Sequence, residues 1–422
     1  MRLKILVGLG LLAGLWWLFI RPGHGAAARN SPDSSTVVSK IVVVLSPGHG
    51  WWSADAQQVD PGATHAGLAE KDVALDVAQQ AQRLLDRCPV EVRLTRAGDD
   101  KDHTLSSVHE LVNAQQPALA VAIHTGEAGA PSGAEAWYTV GGADDASSQR
   151  LASSLAASVA GRLALPDLGT LPETSSPTGG LYIHPWQAPA ALLELGSLGA
   201  DTEALRTRRA EFARALAQGV LAYLGLPGEC ADGALTPPGE LVALVSVSFP
   251  DDAVSQNLTL VNDGLAGWDP AQYALVSVGK TYGAAQTYPL PAAVAPGESA
   301  TWALPARAPK QAGVYEQRWQ LMRGGAPVGQ EARVLIVVVP SQAQALKDKL
   351  DQQVNEAKAA GAAKLDDLVE QMKSELKAWA VQETEKQAAK CVGVNGAVLL
   401  GVVVLAAKAS KKKTNTPSRR DR

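Results

Sequence analysis

Two histidines and two glutamates stand where apolar runs end or a helix begins, the places where an α/β chain exposes its chemistry. Ile41 to Leu45 is a mostly β-branched run that breaks at Ser46-Pro47-Gly48-His49-Gly50, so an imidazole sits on a tight turn. Asp60-Pro61-Gly62-Ala63 is a second turn, and Gly67-Leu68-Ala69-Glu70-Lys71-Asp72 opens an amphipathic helix with a carboxylate in its first turn. Val121-Ala122-Ile123-His124 ends another apolar run in a histidine, and Ala191-Leu192-Leu193-Glu194-Leu195-Gly196 carries a glutamate on a later one. In a parallel sheet such strand ends share one edge, so His49, His124 and Glu194 converge there and Glu70 arrives from a helix start. Two histidines and one glutamate are a zinc set with an open fourth position, the arrangement of hydrolytic zinc. The residue types alone leave open which glutamate ligates and which handles protons.

The elements that must hold these groups follow from periodicity. Strands are expected at Lys40–Leu45, Val90–Thr95, Ala118–Ile123, Ala134–Val140 and Ala190–Glu194. Helices are expected at Lys71–Arg87, Leu105–Gln115, Ala146–Leu163 and Thr202–Leu224. This alternation specifies an α/β fold: a mostly parallel sheet with helices on both faces.

PGHG, DPGA, G-x-x-EKD, an apolar run ending in IH, and then LLELG occur in one order, and over residues 40–226 the chain resembles the zinc-dependent N-acetylmuramoyl-L-alanine amidases of the amidase 3 type. The resemblance implies that His49, Glu70 and His124 are the metal ligands and Glu194 the catalytic carboxylate. It also implies the bond cut, the amide between the lactyl group of N-acetylmuramic acid and L-alanine in peptidoglycan. The chain departs from the family at Ser46, where aspartate is usual, at Thr125-Gly126, at Val108 and at Ser197. These departures motivate a competing reading from another class, a non-catalytic wall-binding scaffold that retains the zinc site. A zinc peptidase acting on other amides is a third.

Other residues near these motifs are candidates for substrate contact. His184 is placed to donate to a developing oxyanion or to sit on a surface loop. Trp51 and Trp52 follow His49 closely and suit either stacking on sugar or peptide or closing the loop on itself.

The chain has 422 residues, a net charge of −4 and three cysteines: long enough for two or three domains, with no sign of nucleic-acid binding and no disulfide scaffold. Cys88 ends the first expected helix of the amidase-like segment and Cys230 follows its last, and the two are candidates for a bridge closing the domain. Residues 1–21, with an apolar run from Ile5 to Ile20, read as a signal peptide or a membrane anchor, and 22–39 as a linker. After a Pro- and Gly-rich linker at 227–239, residues 240–340 carry short strand-like runs separated by turn signals, an all-β, immunoglobulin-like sandwich. Residues 341–390 read as one long helical stalk: Leu346, Ala357, Leu368 and Trp379 recur every eleven residues, a coiled-coil-like seam suited to self-association or docking. Residues 391–408, with the apolar run Val392 to Ala407, read as a transmembrane helix, and 409–422 as a basic cytoplasmic tail. The expected localisation is therefore the cell membrane, with the catalytic domain on the extracytoplasmic side and peptidoglycan and the membrane as partners.

Overall fold

The computed structural model describes residues 40–141, 144–176, 181–237, 244–360 and 365–392. The first apolar run forms β1 (Ile41–Pro47), in which Val43, Val44 and Leu45 are buried on both faces, as a central parallel strand requires. The chain continues through α1 (Glu70–Leu85), β2 (Val90–Leu94), α2 (Val108–Ala114) and β3 (Leu119–Gly126). Next come β4 (Ala134–Tyr138), α3 (Asp145–Leu163), β5 (Asp167–Pro172), β6 (Ala190–Ser197), α4 (Thr202–Thr207) and α5 (Arg209–Leu224). The strand order is β2-β1-β3-β6-β4-β5; β2, β1, β3 and β6 are mutually parallel, β4 runs antiparallel to β6, and β5 is parallel to β4.

Side-chain alternation divides the core in two. Val43, Leu45, Val121, Ile123 and Leu193 pack beneath α1, α3 and α5. Val44, Ala120, Ala122 and Leu192 face the other way, onto α2 and the segment carrying Ile183 and Trp186. Because successive strand residues point to opposite faces, Ser46, His124 and Glu194 continue this second, thinly covered face to the C-terminal edge of the sheet. The site is thereby placed before any loop is considered. Strand β5 was not expected from its sequence, DLGTLP: a glycine and a proline interrupt it, and it survives as a half-exposed edge strand.

Cys88 and Cys230 form a disulfide across 142 residues, tying the end of the α1 region to the segment that leads out of the domain. Beside it Arg87 Nη2 pairs with Asp263 Oδ2 at 2.5 Å, which fastens the α/β domain to the β-rich segment beyond it. Replacing both cysteines by serine is expected to cost about 2–5 kcal/mol, because the bridge restricts a long loop in the unfolded chain. Denaturant unfolding of the oxidised protein and the double variant measures it.

That β-rich segment is a sandwich of β7 (Val245–Ser248), β8 (Ala253–Val261), β9 (Tyr273–Ser277), β10 (Thr287–Pro289), β11 (Ser299–Arg307), β12 (Gly313–Arg323) and β13 (Ala326–Val338). A five-stranded sheet, β7-β13-β12-β9-β10, faces the β8-β11 ribbon across a core that includes Leu258, Leu260, Trp268, Leu275, Trp302, Trp319 and Leu321. The tryptophans are core residues, and Trp302 Nε1 donates to the Pro289 carbonyl at 2.8 Å.

The expected single stalk over 341–390 is corrected. The chain forms two helices, α6 (Gln344–Ala359) and α7 (Leu365–Val392). Leu346, Leu350, Val354, Leu365, Leu368 and Met372 of the eleven-residue rows are buried against Val245, Leu335 and Val337 of the sandwich. The apolar rows are thus covered within the chain, and the seam expected for self-association is already occupied. The apolar runs Ile5 to Ile20 and Val392 to Ala407, apart from Val392 itself, lie outside the described residues; among the described residues no helix is long and apolar enough to cross a membrane.

Candidate metal centre

His49 sits just past the end of β1 with φ 58°, a left-handed conformation unusual for a non-glycine residue, in a turn tied down by a buried guanidinium. Arg96 donates to the carbonyls of Pro47 (3.1 Å), Gly48 (2.9 Å) and Lys71 (2.7 Å), so it joins the β1 turn to the start of α1. Burial pulls the Arg96 pKa down to about 10, still far above neutrality, so it keeps its charge. Glu70 is the first residue of α1 and only 4% exposed. Its Oε2 accepts from Ala63 N and its Oε1 from Thr125 N, both at 3.0 Å, so the carboxylate spans the DPGA turn and the end of β3.

Around that carboxylate the two imidazoles close in. His49 Nε2 lies 3.0 Å from Glu70 Oε2 and His124 Nδ1 lies 2.9 Å from Glu70 Oε1. The rings meet edge to face with centroids 5.1 Å apart. One ligand atom from each of His49, Glu70 and His124 falls within 4.8 Å of the others. Two glycines make the approach feasible. A Cβ on Gly48 would run into the His124 ring, and one on Gly62 would lie 2.7 Å from Glu70 Oε2 and 2.6 Å from the His49 ring. Gly62 also has φ +65°, which disfavours any larger residue there.

The electrostatics of the cluster favour a cation at its centre. Burial opposes charge on His49, but Glu70 and Asp60 outweigh it and push its pKa up to about 9. Burial likewise opposes charge on Glu70, and the two imidazoles overcome it, holding the carboxyl well below the usual range. Two imidazole nitrogen donors and one carboxylate oxygen are the donor set of a three-ligand zinc site. The proton held by His49 must leave when a metal binds, so zinc affinity is expected to rise roughly tenfold per pH unit until the pH reaches about 9. Calorimetry at pH 7 in buffers of different ionisation enthalpy should find about one proton released per zinc from this residue.

Glu194 flanks the cluster. It is the register partner of His124 on β3 and of Glu135 on β4, so all three side chains emerge on one face. Its Oε2 is shut off from solvent and has no hydrogen-bond partner, which marks it as a group waiting for one. Burial first, and then the negative charges of Glu70 and Glu135, push its pKa up to about 8, with His49 acting in the opposite sense.

The remaining candidates lie elsewhere. His184 is largely exposed and its Nδ1 bonds to the buried Glu173 Oε1 at 2.6 Å, so it tethers its loop and faces Glu173 instead of the cluster. Trp51 is 2% exposed and packs in the core with Val44, Val108 and Ile183. It is therefore not a rim aromatic: burying a large indole outweighs presenting it. Trp52 is half-buried in a short ribbon opposite Val59. Three residues at the centre were not singled out in the sequence. Asp60 Oδ2 holds His49 Nδ1 at 2.7 Å, Arg96 clamps the turn, and the Tyr182 hydroxyl lies 3.1 Å from His124 Nε2. Asp60 was visible only as a turn residue, and Tyr182 only as a neighbour of His184.

Residues 43–224 match the family model described as N-acetylmuramoyl-L-alanine amidase. Over 212 residues the chain is 27% identical to the N-acetylmuramoyl-L-alanine amidase LytC of Bacillus subtilis (strain 168), covering 46% of this chain and 39% of that relative. The chain thus spans about two-fifths of the length of the curated relative it matches. Among solved structures, an N-acetylmuramoyl-L-alanine amidase from Clostridium difficile 630 is 23% identical with a TM-score of 0.39, covering 44% of this chain and 98% of that one. The catalytic domain of CwlV from Bacillus (Paenibacillus) polymyxa var. colistinus is 26% identical with a TM-score of 0.38, covering 44% and 99%.

Proposed function

We propose that residues 43–224, a domain of the N-acetylmuramoyl-L-alanine amidase family, hydrolyse the amide between the N-acetylmuramic acid lactyl group and L-alanine in peptidoglycan, using zinc held by His49, Glu70 and His124. The observation that carries this reading is the meeting of those three donors beside an unpartnered carboxylate, Glu194, at one edge of the sheet. When bound, zinc supplies Lewis-acid chemistry: it acidifies a water and polarises a carbonyl.

The chain's own groups do the rest. With a metal charge beside it to hold its carboxyl ionised, Glu194 would take a proton from the attacking water as the C–O bond forms, and return one to the nitrogen as the C–N bond breaks, leaving a lactyl carboxylic acid and a free L-alanine amine. Asp60 and Glu70 fix the His49 ring between them, so the donor geometry is set before substrate arrives. Placement outside the cytoplasmic membrane, tethered to it, is part of the same proposal. The Cys88–Cys230 bridge supports an oxidising compartment, and the apolar runs at both ends of the sequence support a tether.

Purified full-length protein incubated with peptidoglycan tests the activity. New L-alanine amino termini together with free lactyl groups are the expected products. Zinc bound with no release would instead support the wall-binding scaffold, and other new amino termini would support a peptidase.

A further inference from the structure

We propose that Tyr182 is a positioning residue for the metal centre: its hydroxyl accepts the Nε2 proton of His124 and thereby fixes the ring with Nδ1 as the free donor. The inference rests on the reading that His49, Glu70 and His124 hold zinc. It concerns a loop residue that no ligand motif includes.

A neutral imidazole carries one proton, and the nitrogen that offers a lone pair to a metal is the one without it. On His124, Nδ1 donates to Glu70 Oε1 at 2.9 Å in the metal-free protein, and it is this nitrogen, facing the cluster, that a metal would take in place of that proton. Nε2 must then carry the proton and needs an acceptor, and the Tyr182 hydroxyl oxygen lies 3.1 Å away. His49 shows the same arrangement with the nitrogens exchanged: Nε2 faces Glu70 at 3.0 Å and Nδ1 is held by Asp60 Oδ2 at 2.7 Å. Each ring has one nitrogen in the cluster and the other on an acceptor, the outer-shell pattern that sets tautomer and orientation at metal sites. The two acceptors differ in charge, a carboxylate for His49 and a neutral phenol for His124.

Tyr182 is itself held in place. Its ring packs at an angle on His124, with centroids 5.6 Å apart, and edge to face on Trp186 at 5.7 Å. The loop that carries it is tied just beyond it: Asn113 Nδ2 donates to the Pro185 carbonyl and Asn113 Oδ1 accepts from Gln187 N, both at 3.0 Å, while His184 bonds to Glu173. A phenol fixed at so many points is a rigid support for the ring it meets.

The test is Tyr182→Phe in the full chain, which removes one oxygen and leaves the aromatic packing. Zinc affinity measured by competition with a chelator is expected to fall about 10–100-fold, the usual cost of removing an outer-shell partner. The zinc-induced rise in melting temperature, taken within each protein, separates this loss from any change in the metal-free fold. In zinc-loaded protein labelled at its histidine nitrogens, a slowly exchanging His124 Nε2–H proton is expected in the wild type and lost in the variant, while the His49 Nδ1–H proton persists. A variant that binds zinc within about twofold of the wild type, or keeps the His124 proton equally protected, overturns the proposal. A wild-type chain that binds no zinc would instead overturn the reading on which the proposal rests.

Discussion

Glu194→Gln is expected to lower kcat on peptidoglycan by about a thousandfold while leaving one zinc per chain, within the 10²–10⁴ range for loss of a positioned general base and acid. Glutamine keeps the size of the side chain and removes its ability to carry a proton between water and the leaving amine. Glu194 is not needed to hold the metal, because the three donors close on one another without it. The pH dependence of metal-free stability gives an independent check. Glu194 has a folded pKa of about 8 against 4.5 for the free side chain, so the folded state binds the extra proton. Its contribution to stability is therefore fully present below pH 4.5 and lost as pH rises through about 8. Glutamine has no such loss, so the metal-free variant should gain on the wild type between those pH values in a series of thermal melts. No gain across that window would mean that Glu194 is better solvated than its surroundings imply.

The second large effect is expected at Glu70. Glu70→Ala should abolish measurable zinc binding and also destabilise the metal-free protein, by about 3–5 kcal/mol, the usual cost of stripping one partner from a buried ionic cluster. The side chain serves two imidazoles and two backbone amides, those of Ala63 and Thr125. Removing it leaves those amides without an acceptor in a dry site. The sign of the pH dependence is opposite to that of Glu194. The Glu70 carboxyl titrates well below its ordinary value, so the stability it contributes is present above the usual carboxylate range and is lost on acidification. The wild-type and alanine proteins should therefore approach each other in stability as pH falls toward the native-state pKa of Glu70. Zinc content and chemical denaturation of the same samples measure both effects. A variant that still binds one zinc tightly would show that the carboxylate is a structural anchor and not a ligand.

The candidate site residues were legible in the sequence because strand physics puts them in a recognisable place. A fully buried parallel strand reads as an unbroken apolar run, so a histidine or glutamate at its end stands out, as at His124 and Glu194. Their supports were not legible. Asp60 and Tyr182 lie in loops, and which ring nitrogen they reach depends on the path of the chain and not on any periodicity. For Trp51 the sequence left two uses open, stacking on substrate or closing the loop, and only the packing decides: the indole turns inward against Val108. In the C-terminal helices, the eleven-residue rows correctly marked the buried face of Leu346, Leu350 and Met372. Periodicity identifies which face is covered, not by what, and the sandwich of the same chain covers it.

The account stands on one ion held by His49, Glu70 and His124, and zinc K-edge X-ray absorption of the full chain loaded with one equivalent of zinc tests it most directly. The predicted spectrum has nitrogen and oxygen neighbours at about 2.0–2.2 Å, with the outer scattering of two imidazoles, falling to one in His124→Ala. A spectrum with sulfur neighbours, with no imidazole scattering, or unchanged by the His124 substitution would contradict it.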